Sequence, residues 1–143
     1  MKLNIIAVGS LSKDYKNLYD NYVKKINFFS QVLLTEIKES NDENIETKKL
    51  KETKLILKKI PKNSKVYYLS LHGKKMDSLD FSNFLNEDNI TFVIGGSNGL
   101  DETYFNNKIS FSDMTFPHQL FRVMLVEQIY RGFSIKNNIK YHK

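Results

Sequence analysis

Two patterns of apolar and polar positions divide the chain. Five short runs rich in β-branched and aromatic residues are typical of buried strands, and longer segments between them repeat apolar residues every three or four positions, as helices do. The strand-like runs cover residues 3–8, 31–37, 65–71, 90–94 and, more weakly, 108–112. Strands that alternate with helices predict an α/β fold, with a mainly parallel sheet flanked by helices on both faces.

The helical segments differ in regularity. Residues 15–26 place their apolar side chains on one helix face, and residues 50–60 do so less cleanly. Residues 77–85 predict a short helix with Asp77 or Ser78 as its N-cap.

The final helical segment, residues 115–133, is the clearest. Thr115 can cap it, Pro117 suits its first turn, and Gly132 lies near its end. Its apolar residues lie nearly all round the helix, which predicts burial on more than one side. In a chain of only 143 residues, we expect a second copy to cover one of those sides, so the sequence predicts a homodimer.

Length and composition narrow the class of protein. A chain of 143 residues with 41% hydrophobic residues predicts one globular domain, residues 1–143. The absence of cysteine excludes disulfides and thiolate catalysis, and the three histidines lack metal-site spacing, so no metal is expected. No apolar run is long enough to cross a membrane. Residues 1–10 faintly suggest a signal peptide, but Asn4 interrupts their apolar part, which favours a first strand and a cytoplasmic protein.

The net charge of +6 fits a polyanionic partner such as RNA. However, 20 of the 22 basic residues are lysine and asparagine is abundant, a composition that an AT-rich genome also produces. Basicity alone leaves both explanations open.

The stretch "TFVIGGSNGLDE" contains G-x-S-x-G directly after an apolar run. This is the pattern of a hydrolase nucleophile elbow, in which Ser97 would attack and His118 or His142 would act as base. The segment after Ser97 is a poor elbow helix, and no further region supplies a substrate lid. A turn whose glycines let backbone groups approach a ligand is the better interpretation, and a purely structural turn is the third.

Parallel sheets bind ligands beyond the carboxyl ends of their strands. Three strand ends here are suitable: "YLSLHGKK", "FVIGGSNG" and "ISFSDMTFPH". Their glycines expose backbone groups, and apolar walls would come from Leu69, Leu71, Phe111, Met114 and Phe116. Such a cleft suits a flat, mostly apolar ligand such as adenosine.

Polar residues concentrate in the last helix and the tail. The two arginines of the chain, Arg122 and Arg131, lie here on opposite faces of the helix, so they need not bind the same partner. Glu127 stands one turn before Arg131, either in an ordinary surface pair or in a site. The chain ends in Tyr-His-Lys, which is either a frayed terminus or a functional one.

Four segments together closely resemble the ribosomal RNA large subunit methyltransferase H family of small SPOUT-class enzymes. They are "LNIIAVGSL", "FVIGGSNGL", "SFSDMTFPHQLFRVMLVEQIYRGFSI" and the terminal "YHK", in that order along the whole chain. The resemblance implies a metal-independent, S-adenosylmethionine-dependent methyltransferase acting on N3 of a pseudouridine in 23S ribosomal RNA. It also implies a homodimer with an α/β fold whose C-terminal part is a trefoil knot.

Matched by motif, the resemblance implies a methyl-donor site at the strand ends selected above. Its residues are Leu69, Gly95, Phe111, Ser112, Asp113, Met114, Thr115 and Phe116. The chain departs from the family pattern at Asp113, where lysine is common.

Methyl transfer to a uracil-type N3 requires that its proton leave, so we expect a base or an anion-stabilising group. Our hypothesis is that His142, Tyr141 and Arg131 approach the target base, across the dimer from the partner's donor site. Lysines, with Arg122 among them, would hold the RNA backbone.

The expected substrate is 23S rRNA within the assembled ribosome or large subunit, because a small domain has little surface for reading RNA sequence. Two alternatives stay open: a serine hydrolase that uses Ser97, and a noncatalytic RNA-binding module.

Overall fold

Five strands form one parallel sheet in the computed structural model, which describes all 143 residues. The strands are β1 (Lys2–Val8), β2 (Val32–Ile37), β3 (Lys65–Lys75), β4 (Asn89–Ile94) and β5 (Lys108–Ser110). Their spatial order is β2-β1-β4-β3-β5, and each neighbouring pair is parallel. The predicted α/β class and parallel sheet are confirmed, while the trefoil knot stays a prediction.

Four helices cover the two faces of the sheet. They are α1 (Lys13–Ile26), α2 (Ile45–Lys59), α3 (Ser78–Ser82) and α4 (His118–Lys136), with short 3₁₀ helices at Asn83–Asn86 and Glu102–Tyr104. Buried residues of α1, α3 and α4 form one apolar cluster with the sheet, and α2 contributes to a smaller cluster on the opposite face. None of the helices is both long and apolar enough to cross a membrane.

Side-chain caps set where two helices begin. Asn44 Oδ1 accepts a hydrogen bond from Thr47 N at 2.9 Å, so α2 begins at the next residue, five positions before the predicted start. Its first turn faces solvent, with Ile45 exposed, and so gives no apolar periodicity. Asp77 Oδ1 accepts from Asp80 N at 2.8 Å, which confirms Asp77 as the cap of α3.

Helix α4 differs from its predicted boundaries at both ends. It begins directly after Pro117, which occupies the N-cap position, so the prediction of Thr115 as the cap was wrong. It also continues four residues past Gly132. That glycine is buried, and a Cβ there would lie 2.6 Å from Leu85 Cδ1. Close packing against the segment after α3, rather than helix termination, therefore accounts for Gly132.

Arg122 is fully buried and ties α4 to the sheet. Its guanidinium forms an ion pair with Glu36 of β2, and its Nη2 donates to the carbonyl oxygens of Val8 at 3.3 Å and Gly9 at 3.0 Å. A buried side chain with these partners cannot hold an RNA backbone. The expectation that Arg122 contacts RNA was therefore wrong, because a core ion pair and a surface arginine look alike in sequence.

Replacing Glu36 with glutamine is expected to lower the free energy of unfolding by about 1–2 kcal/mol, because the buried guanidinium loses its charged partner. The loss is moderate since the Glu36 side chain is 37% exposed and solvent screens the pair. Urea unfolding would measure it. The control is Asp20→Asn, which removes an exposed pair with Lys16; an equal loss in both variants would contradict a structural role for the buried pair.

Candidate active site

A cleft of about 320 Å³ lies at the carboxyl ends of β3, β4 and β5, against the start of α4. Residues from four parts of the chain line it: Lys49 of α2, the end of β3, the turn after β4, and the segment from β5 into α4. Among them are seven of the eight residues predicted for the donor site: Leu69, Gly95, Phe111, Ser112, Met114, Thr115 and Phe116. The fold therefore brings this predicted set together in one place.

Asp113 is the predicted residue that the cleft does not include. Its side chain is 80% exposed and forms an ion pair with Lys75 on the outer surface. The neighbouring residues Ser112 and Met114 line the cleft. The loop therefore forms part of the cleft wall, while the Asp113 carboxylate lies outside the cleft.

A break in the pairing of β3 shapes one rim of the cleft. Leu69 and Lys74 both pair with Ile109 of β5, so the residues between them arch out of the sheet. A Cβ at Gly73 would lie 2.5 Å from Ile109 N, which leaves room only for glycine. The arch places Leu71 at the rim.

The turn after β4 forms the opposite wall. Gly99 has a φ of +73° and donates from its N–H to the carbonyl of Gly96 at 3.1 Å. A Cβ at Gly95 would lie 3.1 Å from Gly99 Cα, so the turn closes tightly on itself. Leu100 N donates to the Tyr68 hydroxyl at 3.0 Å, and burial raises the pKa of Tyr68 to about 12, which keeps that phenol neutral.

Ser97 in this turn has no histidine partner. Its Oγ donates to Glu39 Oε1 at 3.3 Å, whereas a serine nucleophile requires a base within hydrogen-bonding distance. His118 lines the same cleft without bonding to it. The amide N–H groups of Gly96, Ser97 and Asn98 donate to no acceptor in the protein and so can bind a ligand. The geometry favours a backbone cradle over a nucleophile.

The C-terminal tail is docked rather than frayed. Glu127 Oε2 accepts from the Tyr141 hydroxyl at 2.6 Å and from Arg131 Nη2 at 2.8 Å. Arg131 also stacks over the Tyr141 ring at 4.7 Å, and its Nη1 lies 3.2 Å from His142 Nδ1. We refer to Glu127, Arg131, Tyr141 and His142 as the C-terminal cluster.

The C-terminal cluster presents hydrogen-bond donors. The hydrogen bond to Glu127 raises the pKa of Arg131, and burial, together with the bond to Glu127, raises the pKa of Tyr141, so both remain protonated. Arginine can only donate, so His142 Nδ1 accepts and the neutral ring carries its proton on Nε2. The free edge of His142 is therefore an N–H group.

The cleft and the C-terminal cluster are far apart within one chain. No member of the cluster lines the cleft. Arg131 lies 13 positions after His118 on α4, which at 1.5 Å per residue is about 20 Å. The structure therefore unites the predicted donor residues and, separately, His142, Tyr141 and Arg131, but does not join the two groups in one subunit.

Sequence reasoning missed two acidic residues near the cleft. Glu102 lines the cleft, and its Oε2 lies 2.9 Å from His72 Nδ1. Its Oε1 accepts a hydrogen bond from the Ser70 hydroxyl. Glu52 of α2 is fully buried beside the Gly96 turn. Each lies far along the chain from its neighbours in space, and no local pattern marks either one.

Comparison with known proteins assigns the family. Residues 1–142 match the family described as "Predicted SPOUT methyltransferase". The chain is 70% identical to the ribosomal RNA large subunit methyltransferase H of Metamycoplasma arthritidis and 65% identical to that of Mycoplasma mobile, in each case over 143 residues and all of both chains. It is 62% identical to the Mycoplasmopsis synoviae protein of the same name, again over the whole of both. The chain therefore belongs to the ribosomal RNA large subunit methyltransferase H family of SPOUT methyltransferases.

Proposed function

We propose that this enzyme uses S-adenosylmethionine to methylate 23S rRNA of the large ribosomal subunit, at N3 of a pseudouridine, with residues 1–143 as one catalytic domain in a homodimer. The observation that carries the proposal is the convergence of seven predicted donor-site residues on one cleft. The rRNA substrate is taken from the names of the relatives and from the motif resemblance. With this substrate, we expect the enzyme to act in the cytoplasm.

The cleft suits the nucleoside part of the donor. Leu69, Phe111 and Phe116 supply apolar walls for a flat base, while the free amide groups of the turn after β4 can donate to polar atoms. When bound, S-adenosylmethionine would supply a methyl group to a nitrogen nucleophile in line, with the neutral thioether S-adenosylhomocysteine as the leaving group. The chain's own part is to align the reactants and exclude water.

A homodimer would bring the separated parts together. Leu120 and Met124 lie one turn apart on α4 and remain partly exposed in the single chain, which supports contact with a second copy. We propose that the C-terminal cluster of one subunit faces the cleft of its partner. The target base would then lie between a donor site from one chain and polar groups from the other.

The C-terminal cluster would stabilise the target base as an anion. When N3 of a uracil-type base gives up its proton to solvent water, negative charge spreads onto the two adjacent carbonyl oxygens. The Nε2–H of His142 and the guanidinium of Arg131 are donors suited to those oxygens. Glu127 holds both Arg131 and Tyr141 in place and acts as a positioning residue.

Transfer of a tritiated methyl group tests the proposal. Large subunits from cells that lack this modification should accept the label from S-adenosylmethionine into 23S rRNA, at a rate at least about tenfold above that on a naked RNA hairpin of the same sequence. A small domain makes few base contacts of its own, so the assembled particle must supply the rest of the recognition surface. Equal rates on both would contradict the particle as substrate, and absence of labelled RNA would contradict the proposed reaction. Labelling of Ser97 by a fluorophosphonate would support the hydrolase instead.

A further inference from the structure

A lysine of α1 lies beside the C-terminal cluster and is connected to it by tyrosine rings. Lys25 belongs to the last turn of α1, and its Nζ lies 5.4 Å from the ring centroids of both Tyr22 and Tyr130. The ring of Tyr130 in turn meets the ring of Tyr141 edge-on, with the two centroids 4.8 Å apart. Lys25 therefore stands one tyrosine away from a member of the C-terminal cluster.

The charge of Lys25 is held in place without being neutralised. Lys16 of the same helix forms an ion pair with Asp20 at 2.7 Å, whereas Lys25 pairs with no carboxylate. The two tyrosine rings attract its ammonium group by cation–π interactions, which restrict the side chain and leave its charge intact. The residue is also exposed. A cation that is already held loses little further freedom when it binds an anion, which favours binding.

The C-terminal cluster lacks a free positive charge of its own. Its only arginine, Arg131, is paired with Glu127 at 2.8 Å, and the other partner of Glu127 is the neutral phenol of Tyr141. Such a cluster can donate hydrogen bonds to a base, but it attracts a phosphate weakly. A nucleotide carries a phosphate together with its base, so an unpaired cation beside the cluster supplies what the cluster lacks.

We propose that Lys25, held by Tyr22 and Tyr130, binds a backbone phosphate of the RNA next to the target nucleotide, while the C-terminal cluster contacts the target base. This inference rests on the proposed function, in which the cluster faces the methyl donor of the partner subunit. A lysine binds phosphate as a point charge and reads no sequence. Lys25 would therefore fix the position of the strand, and would leave the choice of nucleotide to the rest of the recognition surface.

Replacing Lys25 with methionine tests the site, because methionine keeps an unbranched side chain against the rings and removes the charge. Filter binding at about 0.1 M salt should show about fivefold weaker binding of large subunits, and the slope of log affinity against log salt should fall by about 0.7, the loss of one phosphate contact. The single-turnover rate at saturating subunits and the affinity for S-adenosylhomocysteine should stay within about twofold. Lys25→Arg, which keeps both the charge and the cation–π contacts, should restore binding.

The matched control is Lys59→Met. Lys59 also lies in the last turn of a helix, is exposed, and pairs with no carboxylate. Its helix, α2, packs on the opposite face of the sheet from α1 and α4. We expect binding of large subunits within about twofold of the unmodified protein. Equal losses in the two methionine variants would show general attraction by net charge and would overturn the phosphate site.

The remaining outcomes separate this site from the proposed function. If the unmodified protein methylates large subunits and Lys25→Met binds them equally well, the phosphate site is wrong and the proposed function stands. A lower Tm in Lys25→Met, with equal losses of S-adenosylhomocysteine and subunit binding, would show that Lys25 serves only the packing of α1 on α4. If the unmodified protein transfers no methyl group to RNA, the proposed function itself fails.

Discussion

Replacing His142 with alanine is expected to lower the rate of methyl transfer by about 100-fold while leaving S-adenosylhomocysteine affinity within about twofold of the unmodified protein. His142 lies in the C-terminal cluster, away from the cleft of its own chain. Removing a donor that stabilises developing negative charge typically costs two to three orders of magnitude in rate. Single-turnover transfer to large subunits and calorimetry of the thioether ligand would measure the two effects.

The matched control is Lys140→Ala, an exposed tail residue with no hydrogen bond to the cluster. It should transfer methyl groups nearly as fast as the unmodified protein. If His142→Ala weakened donor binding as much as turnover, His142 would belong to the donor site and the assignment made here would be wrong.

Replacing Gly73 with alanine is expected to weaken S-adenosylhomocysteine binding at least about tenfold. The new Cβ would lie 2.5 Å from Ile109 N and 2.6 Å from Lys108 C, and these are backbone atoms of β5 that cannot rotate away. Displacing β5 moves the loop that carries Phe111 and Phe116, which forms one wall of the cleft. Overpacking of this kind also lowers the free energy of unfolding by about 1–3 kcal/mol.

Gly132→Ala separates loss of the cleft from loss of stability. Its Cβ would lie 2.6 Å from Leu85 Cδ1, the end of a flexible side chain, and 3.3 Å from Ser82 Cα, in the core between α4 and the segment that contains α3. Because the leucine can shift, we expect a smaller fall in the free energy of unfolding than for Gly73→Ala, with an unchanged affinity for the ligand. If both alanine variants lost affinity in proportion to stability, the Gly73 effect would be a general weakening of the fold.

The fold could be predicted from sequence where apolar pattern and packing coincide. The strands β1 and β4 are buried on both faces and appear in the sequence as mainly apolar runs, each interrupted by one polar residue, Asn4 or Thr91. The start of α2 could not be found this way, because its first turn faces solvent and depends on a cap by Asn44. Gly132 was misleading because a glycine selected for close packing resembles one that ends a helix.

The candidate site was predictable only in part for similar reasons. Residues at the ends of parallel strands must meet at one edge of the sheet, so the cleft followed from the strand pattern. Glu52 reaches the turn after β4 from a separate helix, and Arg122 is buried by a partner 86 positions away. Pairings of this length depend on the whole fold and leave no local mark on the sequence.

Subunit mixing tests most directly whether the active site combines the cleft of one chain with the C-terminal cluster of another. At a donor concentration well below the Kd of the unmodified protein, we expect Gly73→Ala and His142→Ala each to retain about a tenth or less of normal activity alone. If the two chains are co-expressed in equal amounts, half of the dimers are mixed, and each mixed dimer contains one site with an intact cleft and an intact cluster. We predict recovery of about a quarter of the normal activity. Mixed dimers that form, as seen by native mass spectrometry, yet remain inactive would show that both parts must come from the same chain.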